Sequence, residues 1–195
     1  GIYVHHRSSS DITEPNTSSG QSLFFAKLKN SDGDISSWHY SIYGDGEDYA
    51  GDIAYRNNKL YIAGSITNNA VYNGGSNNSG IILGNEAFVS IHSTNNGATL
   101  SKFKESNIVS NTTFSMFNSI SFNRDYLILG GKTNETIRFD DNNPNNDVVS
   151  SNGRDEGFVA FYTQDTNFVE KQEVEGSGTN EVNAVKGWRN HVFVG

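Results

Sequence analysis

A run of oxygen-bearing side chains is the segment of this sequence with the clearest potential for chemistry. It places carboxylate and amide oxygens close together at Asp140, Asp141, Asn142, Asn143, Asn145 and Asp147. Oxygen ligands of this kind suit calcium, and Asp140, Asp141, Asn143 and Asp147 are the candidate metal ligands. The segment lacks the Gly turn and the terminal Glu of a helix-loop-helix calcium site, so a plain solvated loop is the alternative. We expect no cofactor, with calcium in this loop as the one alternative.

The histidines do not suggest a second metal site. His5, His6, His39, His92 and His191 are the five histidines, whereas such a site needs at least three ligands that converge. His5 and His6 are adjacent and would point to opposite faces of a strand, so we expect solvated side chains. The chain has no Cys, no Gly-x-Ser-x-Gly elbow and no His-Glu-x-x-His pair. No carboxylate pair stands out from the turns either, so we expect that the protein is not an enzyme.

Composition favours strands and turns. Hydrophobic residues make up 34% and charged residues 18%, with 20 Gly, many Asn and a single Met. Asn and Gly favour tight turns, and few residues favour helices. The net charge is −8 and the basic residues are scattered, so we expect no nucleic-acid partner. No apolar run approaches the ~20 residues of a membrane span, so we expect no membrane insertion.

An internal repeat of roughly sixty-five residues organises the chain. A short apolar strand ending near a Gly occurs at 60–64, 126–130 and 191–195, and residues 1–4 fit the same position. A second strand follows a polar loop, a third follows a tight turn such as Asn95-Asn96-Gly97, and a fourth leads back to the Gly-ended strand. We expect strands near residues 22–29, 35–43, 51–56, 59–64, 86–92, 98–105, 117–123, 125–130, 156–163, 168–174, 182–188 and 190–195.

Four short strands per repeat without a helix predict an all-β fold of antiparallel meanders. The middle strands are apolar on both sides, so each sheet must be covered twice. Radial stacking of four-stranded sheets as β-propeller blades achieves this, whereas a β-solenoid, the alternative, usually has shorter repeats. We expect one propeller segment over residues 1–195, with repeats at about 1–59, 60–125 and 126–190 and the start of another at 191–195. Such a segment is cut inside blades at both ends, and it needs more chain or other copies to close a ring.

The repeats resemble those of the bacterial seven-bladed β-propeller repeat proteins. The first copy carries the similarity through Phe24–Leu28, Trp38, Gly44–Asp48 and Leu60–Gly64. The third copy keeps Glu156–Ala160, Gly176–Gly178 and Val192–Gly195, and the middle copy departs from the pattern at Asn111–Thr113. The family has no shared catalytic motif to transfer.

The resemblance also implies a candidate binding position. In the family, the Asp after the Gly-x-Gly turn lies near the innermost strand, at the mouth of the channel. Asp48, Ser115 and Asn180 fill this position here and are the candidate ligand-binding residues. Only Asp48 is charged, so a ring of carboxylates is not encoded, but Asp48 with Asp45 and Glu47 could form one oxygen-rich pocket.

The repeat also predicts a core. Phe24, Phe88 and Phe158 should be equivalent and buried between blades. Ile62, Ile128 and Phe193 should be buried one strand further inward. Trp38 and Trp188, with the nine Tyr and twelve Phe, could line a carbohydrate-binding surface, but we expect most of these aromatic residues to pack between blades.

These features predict a non-catalytic binding or assembly module of a secreted or cell-surface repeat protein. Its partners would be other proteins or further blades of the same chain, with carbohydrate as an alternative ligand. Two other functions stay open: part of an extracellular propeller enzyme with its active site at the channel mouth, and a structural spacer in a surface filament or adhesin. The long loops 8–21, 67–85 and 133–154 differ between copies, so they are where specificity would lie.

Overall fold

A computed structural model describes residues 23–28, 31, 35–44, 48–66, 70–73, 81–82, 86–104, 106–107, 114–139, 148–149 and 154–195. This part of the chain is all-β, with antiparallel strand pairs and no helix. Accordingly, it holds no helix that is long and apolar enough to cross a membrane.

The twelve strands expected from the sequence are all present, and five shorter ones lie in the loops. The strands are β1 Leu23–Leu28, β2 Ile35–Gly44, β3 Tyr49–Arg56, β4 Lys59–Ile66, β5 Ala70–Asn73, β6 Ile81–Ile82, β7 Glu86–Ser93, β8 Thr99–Lys104, β9 Ser106–Asn107, β10 Ser115–Phe122, β11 Tyr126–Thr133, β12 Ile137–Arg138, β13 Val148–Val149, β14 Glu156–Thr163, β15 Phe168–Val174, β16 Val185–Trp188 and β17 His191–Val194.

Two four-stranded sheets have the same internal order. The second sheet is β3-β4-β7-β8 and the third sheet is β10-β11-β14-β15. Before them lies the first sheet, in which β1 pairs with β2, and after them β16 and β17 form a two-stranded antiparallel sheet. The second and third sheets therefore share one antiparallel strand order.

Tight turns explain why neighbouring strands meet. Asn57 and Asn58, between β3 and β4, both have positive φ, at 50° and 58°, as a two-residue hairpin of the I′ type requires. Gly97 has a φ of 71° in the predicted Asn-Asn-Gly turn between β7 and β8. In the matching turn of the third sheet Thr166 has a φ of 68°. β-Branched residues such as Thr rarely adopt positive φ, which is unfavourable for their side chains. The conformation of Thr166 is therefore imposed by the rest of the fold rather than by its own conformational preference.

Strand pairing corrects the alignment of the first Gly-ended strand by one residue. Phe88 pairs with Gly64 in the second sheet, and Phe158 pairs with Gly131 in the third. Gly64 therefore corresponds to Gly131, whereas the sequence pattern had matched it with Gly130.

The same shift changes which core residues are equivalent. Tyr61, rather than Ile62, corresponds to Ile128 and Phe193, so the expected set of three was wrong in its first member. A one-residue shift moves a side chain to the other face of a strand. Accordingly, Ile62 packs in a cluster with Phe88, while Ile128 packs in the cluster beside the β16-β17 hairpin.

Of the expected core residues whose side chains are described, all are buried except Phe193. Phe88 and Phe158 are fully buried, and Ile62 and Ile128 are buried too. Phe193 is 59% exposed, so its predicted burial was wrong, because no following sheet covers it in the described part of the chain. The Phe24 side chain lies outside the described residues.

Two long loops each send a small hairpin back to the preceding sheet. After the second strand of the second sheet, β5 pairs with β6 and also with β2. After the second strand of the third sheet, β12 pairs with β13 and with β9, which follows the last strand of the second sheet. These loops link successive sheets at their outer edge.

Candidate functional site

The three candidate ligand-binding residues occupy equivalent places before or at the start of the first strand of a sheet. Asp48 directly precedes β3 and Ser115 begins β10, and both are buried. Asn180 lies ahead of β16. Asn118 is a bulge in β10, and the N–H groups of Asn183 and Ala184 both donate to the Gly195 carbonyl, as at a matching bulge. Ser115 and Asn180 each lie three residues before that irregularity, so they are equivalent. The predicted equivalence of these positions therefore agrees with the strand pairing.

Two of these positions contact the start of the third strand in the preceding sheet. The Ser115 Oγ accepts a hydrogen bond from the Ala87 backbone N–H at 2.9 Å. The Asn180 backbone N–H donates to the Asp155 carbonyl at 2.9 Å, and its Nδ2 lies 3.4 Å from Glu156 Oε2. These contacts join neighbouring sheets, and a ligand-binding role for the three residues stays a prediction.

An ion pair strengthens the link beside Asn180. Lys132 Nζ on β11 lies 2.7 Å from Glu181 Oε2 and 3.8 Å from Asp155 Oδ2. The hydrogen bond from Lys132 lowers the pKa of Glu181, so this carboxylate stays charged in the folded protein. The segment leading into β16 is thus tied to the third sheet by both backbone and side chain.

The predicted calcium ligands, Asp140, Asp141, Asn143 and Asp147, lie outside the described residues, as do Asp45 and Glu47. Where the chain is described, no group of three or more His, Asp or Glu side chains could hold a metal ion. Calcium binding by the 140–147 loop stays a prediction.

The first strands of three consecutive sheets lie side by side. Asp52 Oδ2 on β3 accepts hydrogen bonds from the Oγ of Ser119 and the backbone N–H of Ile120 on β10, each at 3.1 Å. Ser119 Oγ accepts in turn from the Val185 N–H, and Ser121 Oγ from the Gly187 N–H, again at 3.1 Å. We call this row of contacts among β3, β10 and β16 the seam.

Close backbone approach defines the seam as much as its hydrogen bonds do. A Cβ added at Gly51 would lie 2.0 Å from the Phe117 carbonyl oxygen, and one at Gly187 would lie 2.4 Å from that of Phe122. Only glycine fits at these two places. Sequence reasoning missed the seam, although small or oxygen-bearing residues at the same phase of the first strand, such as Asp52 and Ser119, were a signal.

His92 is buried, so the expectation that all five histidines are solvated was wrong for this residue. Its Nδ1 lies 3.1 Å from the Gly97 carbonyl oxygen and therefore carries the proton, while its Nε2 lies 3.0 Å from Ser90 Oγ. The ring also packs against Phe25 of the first sheet, at 4.8 Å between centroids. Burial lowers the pKa of His92 to about 4, so the imidazole is neutral and acts as a core residue. His191 is exposed, as expected.

An open cavity lies between the first and second sheets. Its volume is about 440 Å³, and Ala26, Lys27, Tyr55, Leu60 and Thr94 line it. Lys27 Nζ donates to the Thr94 carbonyl oxygen at 3.1 Å, which fixes a positive charge at the wall. These lining residues offer a cation and a phenol but no carboxylate or imidazole.

The outward face of the β16-β17 hairpin is an exposed aromatic surface. It comprises Lys186, Trp188, His191 and Phe193, and we call it the hairpin face. Trp188 is 55% exposed. The Arg189 guanidinium lies 4.6 Å from the centre of its ring, and the His191 ring is stacked with it at 6.4 Å between centroids. Trp188 is therefore one aromatic residue that does not pack between sheets in the described structure. The four residues of the hairpin face alternate along β16 and β17 with the two-residue period of a strand, so they share one face. The exposure of that face depends on tertiary packing and cannot be read from the sequence.

Comparison with known proteins gives no relative: no family model, no curated protein and no solved structure matches this chain.

Proposed function

We propose that the successive sheets are blades of a β-propeller. The observation that carries this proposal is the seam, in which the first strands of three consecutive sheets lie next to one another. In a β-propeller, four-stranded antiparallel sheets are arranged radially about a central channel. In a β-solenoid, by contrast, equivalent strands of successive repeats pair within one sheet, whereas β3 and β10 belong to separate sheets.

The packing between sheets supports the same arrangement. On one side of the third sheet, Phe122 packs on Tyr61 of the second sheet. On the other side, Ile128 and Val159 pack against Val182 and Val185, which lie in and just before β16. Apolar contacts thus cover both faces of the third sheet, as the proposed arrangement requires of a middle blade. A density map of an assembled particle would test the proposal: β3, β10 and β16 should line a central axis, and a linear stack of sheets would contradict it.

The function that we propose is a non-catalytic binding or assembly module of a secreted or cell-surface repeat protein. Two features support contact with partners. The hairpin face presents large aromatic groups to solvent. The segments that connect the paired strands β5-β6 and β12-β13, residues 74–80 and 140–147, which we call the loop tips, differ in sequence. Exposed aromatic surfaces and loops on a rigid scaffold are where binding sites concentrate.

Binding by the loop tips can be tested by replacing residues 74–80, or separately 140–147, with Gly-Ser sequences of equal length. The immobilised protein is exposed to a glycan array and to collagen and fibronectin as probes. The proposal expects binding that one tip replacement abolishes while the circular dichroism spectrum is retained. Replacement of Asn95 and Asn96, in a short exposed turn, serves as the control and should leave binding intact. Equal binding by both tip variants and the native chain, or no binding to any probe, would contradict a role of these loops.

A further inference from the structure

A buried acid lies just beyond the second strand of the third sheet. The Glu135 side chain is 5% exposed, and neither of its carboxyl oxygens has a hydrogen-bond partner among the described residues. Burying a polar group without a partner costs free energy, and the cost is much larger when the group is charged. The neutral form of Glu135 therefore suits this position, whereas the ionised form does not.

Hydrogen bonds hold the backbone on which this carboxyl group is carried. Thr133 Oγ1 accepts from the Glu135 N–H at 3.0 Å and donates to the Glu135 carbonyl oxygen at 3.2 Å. The Asn134 N–H donates to the Phe114 carbonyl oxygen at 3.1 Å, and the Phe114 N–H donates to Asn134 Oδ1 at 2.9 Å. The buried position of Glu135 is thus fixed by its two preceding residues.

Charged residues on the surrounding strands do not compensate Glu135. These strands carry Glu86 on β7, Lys132 on β11, Arg138 on β12 and Glu156 on β14. Lys132 is paired with a different carboxylate, and the buried Nε of Arg138 has no hydrogen-bond partner in the described structure. Burial raises the pKa of Glu135, and no neighbouring charge contributes to the shift.

The segment after Glu135 connects the second and third sheets. Ile137 and Arg138 form β12, which pairs with β9 on one side and β13 on the other. We call this three-stranded sheet, β9-β12-β13, the clasp. Ile137 is fully buried in the largest core cluster, but each strand pairing of the clasp spans only two residues. Short pairings open at a lower free-energy cost than the eight-residue pairings within the second and third sheets.

From the unpartnered carboxyl group and the short pairings beside it, we propose that Glu135 makes the clasp sensitive to pH. The clasp is closed while Glu135 is protonated, and it opens more often once the carboxyl group ionises, because opening lets water solvate the charge. The clasp pairs the same strands whether or not the sheets form a propeller.

The direction of the pH effect follows from the burial of the acid. The closed form holds the proton of Glu135 more tightly than the open form does, since burial raises the pKa from its ordinary value of 4.5. The stabilisation is therefore fully present below pH 4.5 and is lost as the pH rises through the pKa of the closed form. His92 acts in the opposite direction, because its lowered pKa reduces stability in acid.

Hydrogen exchange of the native chain and two variants, compared at the same pH from about 4 to about 8, tests the clasp. Glu135→Gln keeps the shape of the side chain and removes its charge. Peptides that contain β9 or β12 should exchange at least about threefold more slowly in this variant than in the native chain at about pH 8, and equally fast at about pH 4. Glu170→Gln is the matched control, because Glu170 is exposed on β15, and it should exchange as the native chain does. Equal exchange of native and Glu135→Gln chains at every pH would overturn the proposal, as would a difference spread evenly over all strands.

NMR titration of the native chain provides a test that needs no variant to fold. In a chain labelled with carbon-13, the carboxyl signal of Glu135 should change at a pH above the ordinary range of glutamate. The amide signals of Ile137 and Arg138 should change with the same midpoint, because opening of β12 is coupled to ionisation. A Glu135 signal that titrates at or below pH 4.5, or β12 amides that ignore its midpoint, would contradict the pH-sensitive clasp.

Discussion

At the scale of single residues, the position filled by His92 is a core position that tolerates a polar group. The equivalent residue of the third sheet, Tyr162, is also buried. The buried His92 ring is hydrogen-bonded to the Gly97 carbonyl and to Ser90 Oγ, and its burial keeps the ring neutral. A buried neutral histidine makes stability depend on pH.

Stability should therefore fall in mild acid. Folding lowers the pKa of His92 from 6.5 to about 4. Between these two pH values, His92 therefore binds a proton in the unfolded chain but not in the folded chain. The free energy of unfolding should be unaffected by this group above about pH 6.5 and should decrease by about 3 kcal/mol as the pH falls to about 4. Urea titrations across this range measure the loss. His92→Gln should remove this part of the pH dependence and His191→Gln should retain it; equal slopes in both variants would contradict the assignment.

The Thr166 turn gives a second prediction at this scale. Thr166→Gly should raise the free energy of unfolding by about 1 kcal/mol, because glycine adopts positive φ without the strain of a β-branched side chain. Gly97→Ala, at the matching turn, should lower it by a similar amount. Thermal denaturation of both variants measures the difference, and a Thr166→Gly variant less stable than the native chain would contradict the reading of this turn.

The 140–147 loop gives a prediction about ligands. Isothermal titration with calcium should show binding that the double variant Asp140→Asn, Asp141→Asn abolishes, because carboxylates contribute most to a hard cation site. Asp165→Asn with Asp125→Asn, two acidic residues in turns elsewhere, is the control and should bind as the native chain does. No heat at millimolar calcium would mean that the loop is simply solvated.

At the scale of strands and sheets, the seam decides how closely successive sheets approach. Gly51 and Gly187 let β3, β10 and β16 come together, and the carboxylate of Asp52 then reaches two donors on β10. The seam is thus a packing feature supported by short polar side chains.

Adding a side chain to the seam should separate the sheets. Gly51→Val should destabilise the chain by several kcal/mol, about 3 or more, because its Cβ would overlap the Phe117 carbonyl. Gly178→Val is the matched control, since an added Cβ there meets nothing within 4 Å, and it should be nearly neutral. Urea denaturation measures both, and a tolerated Gly51→Val would show that β3 and β10 do not pack as described.

The buried phenylalanines of the third strands give a second prediction at this scale. Phe158→Ala should cost about 3 to 5 kcal/mol, because Phe158 is fully buried and contacts both Phe117 and Phe139. Phe88→Ala should cost a similar amount. Chemical denaturation checks both values, and a loss near zero would mean that the third strands do not face their neighbours as the pairing indicates.

At the scale of the whole molecule, the described chain links its sheets in two places. The seam joins first strands, while the loop hairpins β5-β6 and β12-β13 join the opposite edges of the sheets. Arg56 adds a link between neighbouring hairpin turns through the carbonyl oxygens of Asn123 and Arg124 and lies 5.1 Å over the Phe122 ring. The seam contact recurs, since the Ile120 N–H donates to Asp52 and the Val185 N–H donates to Ser119 at the equivalent position. Each of these first strands is thus bonded to the first strand of the next sheet.

The sequence by itself determined the strands, their antiparallel order and the turns between them. These depend on local patterns: alternating apolar residues, Asn-Gly turns and a repeat whose second and third strands are easily recognised. Local signals also placed Phe88 and Phe158 at equivalent buried positions.

Only the tertiary structure decided the register of Tyr61 against Ile128, the burial of His92, the exposure of Trp188 and Phe193, and the hydrogen bonds of Asp52 in the seam. Each of these depends on which sheet lies against a given strand, and that neighbour is roughly sixty-five residues away in the sequence. Phe193 and Ile128 are the plainest example, because the same strand position is exposed in one copy and buried in the other according to whether a following sheet covers it.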